Sequence, residues 1–243
     1  FERPLCELAE EFGLELAVDG QRSIESAWTL IDQIVEEAGL QTPLYRFTGY
    51  TGLSSFEQVL LHLKDNRCRV EGGLQTEAMI VAEEWEGRKH IPKAYTHLYG
   101  TVAHKDVLGL LETNNTDYIA SLAFQKGCMN SALFTEELIG YFMAKYQDRF
   151  SLYEGSPVKT VRLKASGGTL DVLGYTVAAG KVVLCTNGFE HFSIVNEAGP
   201  EIDTKFHHSI NGRIGYMSGY VEPLDNPPTA VSYFPKTNER NGD

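Results

Sequence analysis

The residues best suited to bind a substrate lie on a predicted strand near the end of the chain, residues 213–221. Because side chains alternate between the two faces of a strand, Tyr216, Ser218 and Tyr220 share one face and Arg213 lies on the other. The three hydroxyl groups could orient an amine or a carboxylate, and Arg213 could pair with a carboxylate. Two alternatives stay open: the tyrosines lie at the rim of a sheet with their hydroxyls in water, and the arginine is a surface charge.

Residue types that bind metals or act as nucleophiles are present, but their spacing favours neither role. His207 and His208 would point to opposite faces of a strand, so they cannot chelate one ion. Three further histidines recur every seven residues, but a proline and a glycine interrupt any helix that would align them: His90, His97 and His104. The four cysteines are far apart and are predicted to be free thiols. The sequence therefore predicts no metal site and identifies no catalytic residue.

Residues 130–189 carry a specific succession of elements. A helix capped by Asn130 leads to a strand that contains a Pro-Val pair. A hairpin and a strand that is apolar on both faces follow, as a strand buried between two layers requires. The segments are, in order, the helix 130–147, the strand 151–163 with Ser156-Pro157-Val158, the turn Gly167-Gly168, the strand 169–177, the strand 181–185, and Thr186-Asn187-Gly188-Phe189.

This order resembles the D-amino-acid oxidase-like family of FAD-dependent oxidoreductases, which includes glycine and sarcosine oxidases. The resemblance is strongest over residues 130–190 and loosest over residues 65–128. It implies that FAD is the cofactor, that the substrate is an amine or amino acid, and that a C–N bond is oxidised. It also implies that the face of Tyr216, Ser218 and Tyr220, together with Arg213, binds the substrate.

On this resemblance four residues are expected to contact FAD: Val158, Thr186, Asn187 and Gly188. Val158 would offer its backbone N–H and C=O groups to the adenine edge. The Thr186-Asn187-Gly188 turn would follow a buried strand, and Gly188 lacks the Cβ that would block close backbone approach to the flavin. Taken singly, the Pro-Val pair is more commonly a bulge and Asn-Gly an ordinary turn, whereas their order and spacing together favour the flavin site.

One feature of the family is absent, namely the G-x-G-x-x-G dinucleotide fingerprint. The nearest Gly-rich segment, Gly49-Tyr50-Thr51-Gly52, is predicted to be a loop without the fingerprint spacing. We therefore expect an internal piece of an oxidoreductase that lacks the family's N-terminal and C-terminal segments, needs them as partners, binds FAD weakly and is inactive alone. The alternatives are a non-catalytic binding or structural module and a different nucleotide-dependent enzyme that uses Gly49–Gly52.

Composition excludes several other classes of function. With 21 basic and 33 acidic residues the net charge is −12, and the scattered acidic residues argue against a nucleic-acid partner. No stretch approaches the roughly 20 apolar residues that a membrane helix needs. Together with the free cysteines, this predicts a soluble cytoplasmic protein whose partner is a small molecule.

The elements that position these residues predict an α+β fold. Residues 1–64 are expected to be helical, with caps at Ser23 and Ser54 and an end at Gly39. A strand near residues 68–70, a weak helix after Thr76, a helix after His104 and late strands at 213–221 and 229–234 follow. Four segments are predicted: 1–64, a helical segment flanking the FAD domain; 65–128, part of a substrate domain; 129–192, a partial FAD-binding domain; and 193–243, further substrate-domain strands.

Overall fold

The computed structural model describes residues 3–186, 191–204 and 229–234 of the 243. Helices occur together with parallel and antiparallel strands, which confirms the predicted α+β fold class. The described chain forms two compact units. The first holds residues 3–145 and 229–234, and the second holds residues 146–186 and 191–204.

The first unit combines helices with one sheet. Its helices are α1 (Leu5–Phe12), α2 (Leu14–Glu25), α3 (Ala27–Ala38), α4 (Phe56–Glu71), α5 (His104–Leu110) and α6 (Ser131–Lys145). Its strands are β1 (Tyr45–Leu53), β2 (Ala78–Ala82), β3 (Gly100–Val102), β4 (Ala120–Cys128) and β9 (Val231–Tyr233), and short 3₁₀ turns lie at Glu86–His90 and Lys93–Tyr95. Nowhere in the described parts of the chain is a helix both long and apolar enough to cross a bilayer.

The N-terminal helices are interrupted by residues with special backbone geometry. Gly13, with a φ of 86°, separates α1 from α2. Gly39 ends α3 in the left-handed conformation, as predicted. The predicted cap at Ser23 is wrong, because Ser23 lies inside α2 and its hydroxyl donates to the Asp19 carbonyl.

Helix α1 is anchored by a carboxylate that comes from another helix. Asp65, on α4, accepts hydrogen bonds from the backbone N–H groups of Leu5 (3.2 Å) and Cys6 (2.8 Å). These are otherwise unsatisfied donors of the first turn of α1. Burial, followed by the hydrogen bond to Asp65, raises the pKa of the Cys6 thiol to about 12, so Cys6 is a core thiol and not a nucleophile.

The sheet of the first unit has the order β3-β2-β4-β1-β9. β4 runs antiparallel to both of its neighbours, β1 and β2, whereas β3 is parallel to β2 and β9 is parallel to β1. β9 confirms the strand predicted at residues 229–234, with narrower bounds. β1 was not predicted: Gly49 and Gly52 weaken its strand pattern, and its stability comes from pairing with the distant β4.

The two units do not coincide with the four predicted segments. The sheet of the first unit takes strands from the predicted segments 1–64, 65–128 and 193–243. The physical reason is the long ladder between β1 and β4, which joins parts of the chain on either side of the expected boundary at residue 64.

Of four local predictions between residues 68 and 130, two are wrong and two are confirmed. The strand near residues 68–70 is wrong, because Cys68 and Val70 lie in the last turn of α4, and β2 replaces the weak helix expected after Thr76. The helix after His104 is confirmed. The cap at Asn130 is confirmed too, because its Oδ1 atom accepts the backbone N–H groups of Ala132 and Leu133, each at 3.1 Å.

Helices cover both faces of this sheet. On one face, α4 contributes to a buried cluster that contains Leu53, Val59, Leu63, Met79, Val81 and Leu122. On the other face, Val107 of α5 and Leu111, the residue that follows α5, form a smaller cluster with Ala82. Burying one such aliphatic side chain stabilises the fold by about 1.5–3 kcal/mol, so these clusters hold the unit together.

The second unit is built on a smaller sheet. Its strands are β5 (Val158–Lys164), β6 (Gly167–Val172), β7 (Tyr175–Ala179) and β8 (Ser193–Asn196), in the order β7-β6-β5-β8. β5 and β6 form the predicted hairpin. The returning strand expected at 169–177 is divided, because Leu173 and Gly174 both have positive φ (49° and 86°) and form a tight turn between β6 and β7.

This sheet has one apolar and one polar face, as its alternating sequence requires. Val161 and Ile194 are buried on the apolar face. On the polar face, Arg162 of β5 forms an ion pair with Asp171 of β6 at 3.2 Å.

The buried strand predicted at residues 181–185 is wrong. Residues 181–186 have no regular structure, and Val183 is 80% exposed. A strand that is apolar on both faces needs paired neighbours and a layer on each face. None of the described strands of this unit pairs with this segment.

Two glycine substitutions should have opposite effects on stability. A Cβ at Gly52 would lie 2.9 Å from Tyr118 Cδ1 and 3.0 Å from Leu111 Cδ1, whereas a Cβ at Gly140, in α6, would meet nothing within 4 Å. We expect Gly52→Ala to lower the free energy of unfolding by roughly 1–3 kcal/mol and Gly140→Ala to raise it by up to about 1 kcal/mol. Urea unfolding monitored by tryptophan fluorescence measures both, and equal stability of the two variants would contradict the packing described around Gly52.

Candidate functional site

Only two of the eight site residues predicted from the sequence lie among the described residues, Val158 and Thr186. The other six lie outside them: Asn187, Gly188, Arg213, Tyr216, Ser218 and Tyr220.

Val158 is the first residue of β5, and its position suits recognition through the backbone. It pairs with Val172 of β6 next to an irregularity in the ladder. On the other side of β5, pairing with β8 begins only at Thr160, so Val158 lies beyond the end of that ladder. A strand end of this kind leaves backbone groups open to a ligand such as adenine.

Thr186 follows the irregular segment 181–185, so it does not lie at the carboxyl end of a sheet strand as predicted. Of the two described residues, Val158 is the first residue of a sheet strand and Thr186 lies outside the sheet.

The first unit contains a cavity at the carboxyl ends of β1 and β2. These ends meet at Ile119, whose N–H donates to the Leu53 carbonyl at 2.9 Å and whose carbonyl accepts the Ala82 N–H at 2.9 Å. In open α/β sheets, ligands bind outside the carboxyl ends of the strands. This edge of the sheet is therefore the best candidate for a binding site in the first unit.

The cavity has a volume of about 560 Å³ and is lined by three segments of the chain. Phe56 and Trp85 form an aromatic pair with ring centroids 6.2 Å apart. The polar groups at the cavity include a carboxylate, an imidazole and two hydroxyls, from Asp117, His90, Ser54 and Thr116. A pocket of this size, with aromatic walls and a few polar groups, suits a small organic ligand.

The wall formed by the first turn of α4 is held by a capping arrangement. The Ser55 hydroxyl accepts the Gln58 N–H at 3.3 Å, and Gln58 Oε1 accepts the Ser54 N–H at 2.8 Å. The cap is therefore Ser55, one residue after the predicted Ser54. Ser54 instead donates its hydroxyl to the Phe234 carbonyl at 3.2 Å.

The Ser54 hydroxyl donates to the Phe234 carbonyl, and no hydrogen bond joins it to the His90 ring. Over the described ranges, no three His, Cys, Asp or Glu side chains come together as metal ligands would.

His62 lies on α4, after the first turn that Ser55 caps. Its ring packs against Phe234 with the centroids 5.9 Å apart. Burial lowers the pKa of His62 below the usual imidazole value, and the nearby Asp65 opposes this shift.

Neither the sequence nor its motifs indicated this cavity as a unit. Its walls come from residues 54–56, 85–90 and 116–119, which only the sheet brings together. Gly49-Tyr50-Thr51-Gly52, expected to be a loop, lies within β1 and forms no part of it. The one signal in the sequence was the serine pair ahead of α4.

Comparison with known proteins assigns no relative. No protein-family model matches the chain, and no curated protein sequence matches it.

Replacing the two candidate caps should separate a true cap from a serine inside a helix. We expect Ser55→Ala to lower the free energy of unfolding by about 1 kcal/mol, because the Gln58 N–H loses its acceptor. We expect Ser23→Ala to change the free energy of unfolding little, because alanine has a high helix propensity at an exposed position inside a helix. Urea unfolding of both variants provides the measurement, and a larger loss for Ser23→Ala would contradict this assignment.

The lowered pKa of His62 predicts a pH dependence of stability. The unfolded imidazole binds a proton more tightly than the folded one. The contribution of neutral His62 to the free energy of unfolding is therefore fully present above the unfolded pKa of about 6.5. It is lost as the pH falls toward the folded pKa. In urea unfolding across this range, His62→Gln should show a weaker decline than the parent protein. An NMR titration in which His62 titrates above the usual imidazole pKa would refute the packing explanation.

Proposed function

We propose that this chain is part of an FAD-dependent oxidoreductase that oxidises a C–N bond of an amine or amino acid. The observation that carries the proposal is the succession of elements in residues 130–189. Its described part contains a helix capped by Asn130, a strand that begins at Val158 directly after Pro157, and the β5–β6 hairpin.

In this proposal a bound flavin would supply the hydride chemistry, and the protein would orient the substrate and exclude water. The backbone of Val158 would contact the adenine, and Thr186, Asn187 and Gly188 would contact the cofactor. Arg213 and the hydroxyls of Tyr216, Ser218 and Tyr220 would bind the substrate.

The flavin site needs more than these 243 residues contain. The sequence has no G-x-G-x-x-G fingerprint, so a further segment of the parent protein supplies the pyrophosphate contact. The exposed apolar residues Val183 and Leu184 support this view, because a neighbouring strand from such a segment would bury them. A cytoplasmic location accords with the four cysteines, which are all unpaired.

A non-catalytic binding module is the second candidate function. The cavity lined by Phe56, Trp85 and Asp117 favours it, because this cavity is formed by the first unit and needs no flavin. Flavin binding by the parent protein separates the two functions.

The decisive measurement is the flavin content of the longer protein that carries residues 1–243. We expect it to purify with bound flavin, or to bind added FAD, with the visible absorbance of a flavoprotein. Gly188→Val should weaken FAD binding roughly tenfold or more, because a side chain would block the backbone approach.

Gly180→Val is the matched control, since a Cβ at Gly180 meets nothing within 4 Å. It should leave FAD binding unchanged. A longer protein that holds no flavin and binds no added FAD would refute the oxidoreductase proposal.

A further inference from the structure

A second cavity of the first unit is lined by Glu77, whose carboxyl group has no partner among the described residues. It has a volume of about 480 Å³ and lies where β2 and β3 begin. Met79 and Leu98, both buried, and Tyr99 provide apolar walls. Glu77 and His97 are its ionisable groups besides Tyr99.

The backbone of Glu77 is held in place by a buried amide. Asn66, on α4, is 1% exposed. Its Nδ2 donates to the Glu77 carbonyl at 2.8 Å, and its Oδ1 accepts the Glu77 N–H at 2.9 Å. This paired contact fixes the start of β2, so the Glu77 side chain leaves from a rigid point.

No described residue forms a hydrogen bond or an ion pair with the Glu77 carboxyl. The cation that acts on this carboxyl is Arg69, which is 8% exposed and already engaged. Its Nη2 atom pairs with Glu25, and its Nε donates to the Gln75 carbonyl at 2.6 Å. The Arg69 guanidinium that acts on Glu77 is therefore already bound to other groups.

The other charges around Glu77 are negative. Glu25 on α2 and Asp65 on α4 both act on it, and Asp65 is occupied in capping α1. Burial is the main cause that raises the pKa of Glu77 above the usual carboxyl value, and Asp65 and Glu25 act in the same direction. The described charges that act on Glu77 are thus two carboxylates and one guanidinium, and this guanidinium already pairs with Glu25.

We propose that the Glu77 cavity binds a small organic cation, an ammonium group on an apolar body. The ammonium donates to the Glu77 carboxylate, which removes the charge imbalance of the cluster. The apolar body packs against Met79, Leu98 and Tyr99, and the tyrosine ring also attracts a cation.

The surroundings favour an organic cation over a metal ion. Around Glu77 the described residues offer no group of three metal-ligating side chains, and Met79, Leu98 and Tyr99 line the cavity beside it. The cavity volume lies within the range of small-molecule pockets. The proposal does not depend on the proposed oxidoreductase function, because the site is tested on this chain without flavin.

The test uses n-hexylammonium and its neutral analogue 1-hexanol, titrated into the 243-residue chain by calorimetry or ligand-detected NMR. We expect hexylammonium to bind with a Kd of roughly 1 mM or below and hexanol to bind more weakly. Absence of hexylammonium binding up to about 10 mM would overturn the proposal.

Glu77→Gln should weaken hexylammonium binding by about tenfold to a hundredfold and leave hexanol binding unchanged. The unchanged hexanol binding shows that the cavity is intact. Glu136→Gln, an exposed change on α6 with the same loss of one charge, should have no effect. If Glu77→Gln binds hexylammonium as tightly as the parent chain does, Glu77 is not the receptor.

The pH dependence tests the parent chain without relying on a variant that folds. Hexylammonium affinity should rise with pH as the Glu77 carboxyl ionises and should then level off, with a gain of tenfold or more between about pH 4 and pH 8. His97→Gln should keep this rise, which excludes repulsion by a protonated His97 as its cause. Equal affinity at both pH values would overturn the proposal.

Discussion

The antiparallel ladder between β1 and β4 is the interaction on which the first unit depends. It pairs Tyr45–Leu53 with Ala120–Cys128 over their full lengths. β4 also pairs with β2, so it joins the two strands that α4 connects. Without this central strand, neither face of the sheet could bury its apolar cluster, and the cavity at the carboxyl ends of β1 and β2 would lose one of its three walls.

Helix α4 links the structural and functional features of this unit. Its buried face supplies Val59 and Leu63 to the core, while its first turn lines the cavity at Ser54 and Ser55. Its last two turns carry Asp65, Asn66 and Arg69, which serve three different tasks. Asp65 caps α1, Asn66 fixes the start of β2, and Arg69 neutralises Glu25. The Glu77 carboxyl is left without a hydrogen bond or an ion pair to any described residue.

In the second unit, one sequence pattern taken by itself gave a wrong prediction. Residues 181–185 have the composition of a strand buried on both faces, yet they are irregular and exposed. Burial between two layers is a property of neighbouring strands and not of the segment itself. The hairpin of β5 and β6 depends on local turn geometry and alternation, and it formed as expected.

The sequence by itself determined the features that rest on local physics: the α+β class, the cap at Asn130, the end of α3 at Gly39 and the β5–β6 hairpin. Each needs only a short stretch of residues whose side chains or backbone angles decide the outcome. The tertiary structure alone decided that residues 45–53 form a strand, and that Ser54, Trp85 and Asp117 share a cavity. It alone left the Glu77 carboxyl without a partner among the described residues, because pairing depends on residues brought together from distant parts of the chain.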